Sequence, residues 1–224
     1  MSHLAVLAAI AALLLSRAAG QTRWAGDEAQ APRIGIFLDF DRDPSASSIT
    51  AMEREVGAVL KATGARFSWF RFSTGAQSET FDDLAVLRFQ GSCNMLARDS
   101  DPSPAPLRLT LATTGLSDES VSSYGSVLCD QIKTCISGLV GDSCDRDRET
   151  AFGRALGRVV AHELYHILAR TAEHTRTGVT KALQSPFDLV RDNFHLDREA
   201  LQWLRQRLQK PPAASDRQEL RADR

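Results

Sequence analysis

The chain has 224 residues, 43% hydrophobic and 25% charged, with a formal net charge of −1, an ordinary globular composition that can bury one sizeable core. So even a charge balance excludes a surface built mainly for nucleic acid or for an anionic membrane. No internal repeat is visible, and no apolar stretch is long enough to span a bilayer.

Leu4 to Leu15 is a continuous apolar run of twelve residues, too short for a membrane span and right for a signal-peptide core. Ala18 and Gly20 put small residues at −3 and −1 of a cut before Gln21. Residues 1–20 therefore read as a signal peptide and the protein as secreted or periplasmic. Met1-Ser2-His3 carries no Lys or Arg, which keeps an uncleaved anchor as the alternative. Residues 21–210 read as a single domain and 211–224, charged and rich in small residues, as a disordered tail.

Gln21 to Pro32 is a polar lead-in, and Arg33–Phe40 (RIGIFLDF) is a strand apolar on both faces, as in a buried central strand. Ile49, Met52, Val56, Val59 and Leu60 repeat at helical spacing, with Gly64 as a stop. Arg66–Ser73 is a second strand, which establishes β-α-β with a parallel pair. Leu84–Phe89 is a third strand, and Leu107–Ala112 alternates as a half-exposed edge strand does. Ser126–Ile132 reads as a fifth. A helix is expected over Arg146–Leu168, then Ser185-Pro186 as a cap and first-turn pair, then a last helix over Leu196–Leu208.

Four cysteines (Cys93, Cys129, Cys135, Cys144) show no C-x-x-C spacing. In an exported chain they suggest two disulfides among three possible connectivities, with Cys93–Cys129 plus Cys135–Cys144 the favoured pairing because the second closes a short loop.

Near the end of the 146–168 helix stands His162-Glu163-Leu164-Tyr165-His166, an H-E-x-x-H in an apolar run. The chain has five histidines, and His162, His166 and His174 fall within thirteen residues. Residues four apart on a helix share a face. His162 and His166 can thus present two imidazoles to one ion, with Glu163 beside them as a base for metal-activated water. Core histidines without metal are the bland alternative.

A strand, a helix, further strands and then a helix bearing H-E-x-x-H resembles the zincin metalloproteases. A third histidine downstream makes the chain similar to the metzincins among them, and most similar to metzincin-like exported bacterial proteins reading HELYH-x-L-A-x-T-x-x-H followed by G-V. The resemblance implies an α/β (α+β) fold: a five-stranded mixed twisted sheet, a backing helix, the active-site helix and a C-terminal helix. It also implies zinc held by His162, His166 and His174, with Glu163 as general base. Two departures stand out. The metzincin pattern places glycine at 169 and histidine at 172, where this chain has Ala169 and Ala172. No methionine follows the motif (Met1, Met52 and Met95 all precede it), so Gly178 is left to supply the turn that usually bears one.

On a continuous helix His174 would lie about 12 Å beyond His166 along the axis, out of reach of a shared ion. Either the helix ends near Ala169–Thr171 and the chain folds back, or His174 is a surface residue; no Gly or Pro precedes Gly178 to mark such a break. The rival third ligand is a carboxylate from the last helix, Glu199, with Glu173 and His195 less well placed. Tyr165 is expected to pack beside the helix. Asp39 and Asp41 flank a strand end and are read as turn chemistry, and Trp24, Trp69 and Trp203 as core or surface aromatics. The activity implied is zinc-dependent hydrolysis of a peptide or protein substrate, aligned along the edge strand. No nucleic acid and no stable membrane partner is expected. Gln21–Pro32 is too short for a folded pro-domain, so secreted enzyme should need no proteolytic activation. The alternatives are an exported protein whose H-E-x-x-H zinc site is only structural, and a binding module in which the motif is a relic.

Overall fold

The computed structural model describes residues 31–74, 79–96, 110–117, 120–141, 143–192 and 194–209. The expected signal peptide, Trp24, Leu107–Leu109 and the C-terminal tail lie outside the described residues.

Among the described residues five strands form one sheet: β1 (Arg33–Phe40), β2 (Arg66–Arg71), β3 (Asp83–Gln90), β4 (Ala112–Ser117) and β5 (Ser120–Leu128), in the order β2-β1-β3-β5-β4. β1 pairs in parallel with β2 and β3, and β3 with β5; β4 runs antiparallel to β5 and closes one edge. The sheet is mixed, as expected. Central position follows from composition: Ile34, Ile36 and Leu38 of β1 and Ala85, Leu87 and Phe89 of β3 alternate into the core. The other face of β1 is covered by aromatic rings, Phe37 lying 5.3 Å from Phe70 and 6.2 Å from Phe81 between centroids.

Five α-helices complete the fold among the described residues: α1 (Ala46–Leu60), α2 (Cys129–Val140), α3 (Asp145–Ala169), α4 (Pro186–Val190) and α5 (Arg198–Leu208). α1 begins at Ser45, whose hydroxyl accepts from the Ser48 amide, and its terminal turn ends at Gly64 with φ +78°. α3 packs on β3, β4 and β5 and against every other helix. Phe152, Leu156, Val160, Leu164 and Ile167 supply much of the core. Ser185 and Asp188 form the capping box of α4, and Asp197 caps α5. Among the described residues no helix is long and apolar enough to cross a membrane.

Two expectations change. The fifth strand lies earlier, at Ser120–Leu128, and Cys129 opens α2, a helix not foreseen. Its buried residues Cys129, Ile132, Lys133, Ile136 and Val140 make one helical stripe, whose first apolar members had extended the strand reading too far. The described edge strand is Ala112–Ser117, which shares Ala112 with the expected 107–112 and lies at the sheet edge as expected, residues 107–109 being outside the described residues. Cys93 and Cys129 are bonded, but the expected second bridge is absent: Cys135 sits within α2, and Cys144, before the first residue of α3, is exposed and free.

Candidate metal centre

The C-terminal half of α3 is apolar nearly all round, and from Val159 to Leu168 every residue but His162 is buried. Such a helix carries its few polar side chains into surroundings that oppose charge. Burial lowers the His162 pKa to about 4, a donated bond to Val179 opposing this and His166 and His174 adding to it. Burial likewise lowers His166. Both rings are neutral at pH 7, the form that ligates metal.

The two rings are also oriented. His162 Nδ1 lies 2.8 Å from the Val179 carbonyl and His166 Nδ1 2.7 Å from that of Thr171. A carbonyl only accepts, so both Nδ1 atoms carry the hydrogen and both Nε2 atoms keep a lone pair. Those two Nε2 atoms face each other at 3.0 Å. With no hydrogen between them this contact is repulsive, and a cation bridging both lone pairs turns it into coordination. Two ligands at a tetrahedral zinc–nitrogen distance of about 2.0–2.1 Å stand about 3.3 Å apart, close to what is found. The nitrogens of His162, His166 and His174 all lie within 4.8 Å of one another. The residues present fit a three-imidazole metal site.

His174 reaches the cluster because α3 stops. Arg170 takes the left-handed conformation (φ 52°) and its amide caps the His166 carbonyl. The conformation costs an L-residue about 1–2 kcal/mol. The Arg170 guanidinium offsets that cost by bonding Asp83 at 2.9 Å and Ser123 at 3.0 Å, which ties the helix end to β3 and β5. The chain then folds back, placing the His174 ring 5.2 Å from His162 and 4.7 Å from His166 between centroids. His174 is exposed, so the cluster opens to solvent on its side.

Gly178 does supply a tight turn. It has φ +71° and starts a 3-10 turn, Gly178–Thr180, in which a Cβ at 178 would sit 2.4 Å from the His195 carbonyl. The turn delivers the Val179 carbonyl to His162, and Gln184 Nε2 donates to the same oxygen at 2.8 Å.

Glu163 is 4% exposed, and burial raises its carboxyl to about 7 against the opposing bond from Thr114. Thr114 Oγ1 donates to Glu163 Oε2 at 2.5 Å. Thr114 stands on β4 beside an irregularity in the β4–β5 pairing, the kind of site at which a strand re-aims a side chain. The edge strand and the acidic residue are thus in direct contact.

Neither Glu199 nor Glu173 belongs to the histidine cluster. His195 serves through its backbone oxygen, which accepts from the Val179 amide at 3.1 Å. Tyr165 packs its buried ring 5.2 Å from His166. Burial, with Asp197, Glu199 and Glu173, pushes its hydroxyl up to about 12. Asp41 accepts from the Gly91 amide at 3.2 Å and pairs with Arg88, as does Asp39, and Trp69 and Trp203 pack at the core margin. Sequence reasoning missed Thr114, Arg170 and Asp197. Only Asp197 carried a local signal, as an Asp directly before a helical stripe.

No family model matches this chain, and no curated protein matches it. A solved structure to which it is similar is archaemetzincin from Methanopyrus kandleri, with 13% identity, a TM-score of 0.49, and coverage of 84% of this chain and 100% of that one.

Proposed function

We propose that the protein is an exported zinc-dependent endopeptidase, with His162, His166 and His174 holding the metal and Glu163 as general base. The observation that carries this reading is the pair of unprotonated Nε2 atoms 3.0 Å apart, with a third imidazole closing the cluster and a buried carboxylate next in sequence. Bound zinc supplies Lewis acidity, polarising a carbonyl and acidifying water. Glu163 would take a proton from the attacking water on a carboxylate oxygen and deliver it to the departing amine nitrogen as the water oxygen bonds the carbonyl carbon and the C–N bond breaks. The carbonyls of Val179 and Thr171 fix the tautomers of His162 and His166. Among the described residues β4 is an edge strand, the position at which an extended peptide adds to a sheet, and its Thr114 contacts Glu163. Opening toward solvent at His174 favours this reading over a closed structural zinc site, and the Cys93–Cys129 bridge supports export.

Metal analysis of the purified protein tests the assignment. Wild type and Glu199→Ala should each hold one equivalent of zinc while His174→Ala loses it at micromolar chelator. Glu163→Gln should keep the metal and lose about 10²–10⁴-fold in hydrolysis of an unfolded protein. Stoichiometric zinc in His174→Ala with loss in Glu199→Ala would replace the three-histidine site by a His₂Glu one, and unchanged activity in Glu163→Gln would favour a structural metal.

A further inference from the structure

His162 and His166 are placed by a helix and oriented by carbonyls. His174 has neither support: it is exposed, lies beyond the end of α3 at Ala169, and among the described residues no hydrogen bond to a carbonyl orients its ring, which lies beside the other two imidazoles. The residue after it is held firmly. Thr175 donates its amide to the Thr180 carbonyl at 3.1 Å. Its hydroxyl lies against Asp197 Oδ2, against Thr180 Oγ1 at 2.5 Å and against the Thr177 carbonyl at 3.1 Å.

One hydroxyl has one hydrogen, and the carboxylate is the strongest of these acceptors. Thr175 therefore donates to Asp197. The fully buried Thr180 hydroxyl can then donate to Thr175 Oγ1, and it lies 3.4 Å from the same carboxylate oxygen. The other Asp197 oxygen accepts from the Ala200 amide at 2.9 Å, as the cap of α5. Ala200 and Leu204 anchor that helix with no exposure. A carboxylate on a core-anchored helix thus holds both ends of the 175–180 segment, at whose entrance His174 stands.

We infer that Asp197 is a positioning residue for the third imidazole, fixing His174 through the Thr175 hydroxyl so that the metal meets a site already ordered. The inference rests on the zinc reading above and adds to it the group that sets the affinity of the exposed ligand. Loss of an outer group of this kind weakens metal binding by about 10–100-fold.

The bland alternative is that Asp197 only caps α5, and the choice of variant separates the two. Serine caps as well as aspartate does but is too short to reach Thr175. Zinc affinity is read by chelator competition on the purified protein for wild type, Asp197→Ser, His174→Ala and the double variant. Asp197→Ser should bind zinc about 10–100-fold more weakly, with the unfolding midpoint of its metal-free form near that of wild type. With His174 already removed, the same substitution should change affinity by less than about threefold, since neighbours acting through one group are not additive. Thr175→Val, which deletes the donor and keeps the shape, should reproduce the loss and carries the test if Asp197→Ser does not fold. Wild-type affinity in both variants, or an equal loss with and without His174, overturns the inference while leaving the metal site standing. A wild-type chain that takes up no zinc removes the metal reading and this inference with it.

Discussion

α1 and α3 approach so closely that the sign of a Gly→Ala change depends on which helix face carries it. A Cβ at Gly153 would lie 2.3 Å from the Ser48 carbonyl oxygen and 2.6 Å from Ala51 Cβ; at Gly157 it would lie 2.7 Å from Glu55 Cβ. Relaxed carbon contacts fall at about 3.5–4.0 Å, so Gly153→Ala requires α1 to retreat by roughly 1 Å. The opposing atom is main chain, and Ser48 also bonds the buried Glu149, so the helix cannot yield locally. Alanine gains about 1 kcal/mol of helix propensity. Overpacking of this kind costs about 3 kcal/mol, which leaves a net loss of about 2 kcal/mol. Gly57, exposed on α1, has nothing within 4 Å of its ideal Cβ, so there the same substitution keeps the gain, about 0.5–1 kcal/mol. Urea and thermal unfolding of chelator-treated protein, which removes any contribution from bound metal, should show Gly57→Ala above wild type. Gly153→Ala should lie below it by about 4–8 °C in Tm. A Gly153→Ala protein as stable as wild type would refute the close crossing.

The remaining expectations concern acid response and thiols. Burial alone would raise the Asp188 carboxyl, but bonds from Lys181 Nζ and from the Ser185 hydroxyl and amide, with the charge of Lys181, bring it down to about 2. The native state thus binds fewer protons than the unfolded chain below its ordinary value of about 3.9, and the stability this group contributes is whole above that pH and lost as pH falls through about 2. Solvent screening reduces the contribution to about 1 kcal/mol, and Asp188→Asn should flatten the stability profile between pH 5 and 2 by that amount; superimposable profiles would sink the assignment. Alkylation of the unfolded, non-reduced chain should label two cysteines, Cys135 and Cys144, and reduction should release two more. A chain with no reactive thiol would restore the second bridge.

The legible part of the fold is the part that local period dictates. β1 and α1 were recoverable because Ile34, Ile36 and Leu38 alternate and Met52, Val56, Val59 and Leu60 recur at helical spacing, and in both cases one face is buried. α2 was not, because its apolar residues follow directly on those of β5 with no Gly or Pro between Gly125 and Gly138. A strand reading and a helix reading agree over such a short run. What ends β5 is the Cys93–Cys129 bond together with Asp130, whose carboxylate accepts from the Ser92 amide at 3.1 Å. Both partners come from the loop after β3, so the boundary is tertiary.

The site divides along the same line. His162, Glu163 and His166 are legible because a helix sets their mutual geometry whatever surrounds it. The position of His174 is not, because nothing between Ala169 and His174 marks a break. The break is made by Arg170 in a conformation that glycine adopts without cost. A glycine there would announce the helix end in the sequence but could bond neither Asp83 nor Ser123, and the helix terminus would lose its tie to β3 and β5. The eight-residue step from His166 to His174 needs that tie, since a loose helix end would let the longer return segment wander. Arginine therefore stops the helix and aims the return at once. Asp197 then holds the far side of the same loop, so the third imidazole is located by two groups outside H-E-x-x-H.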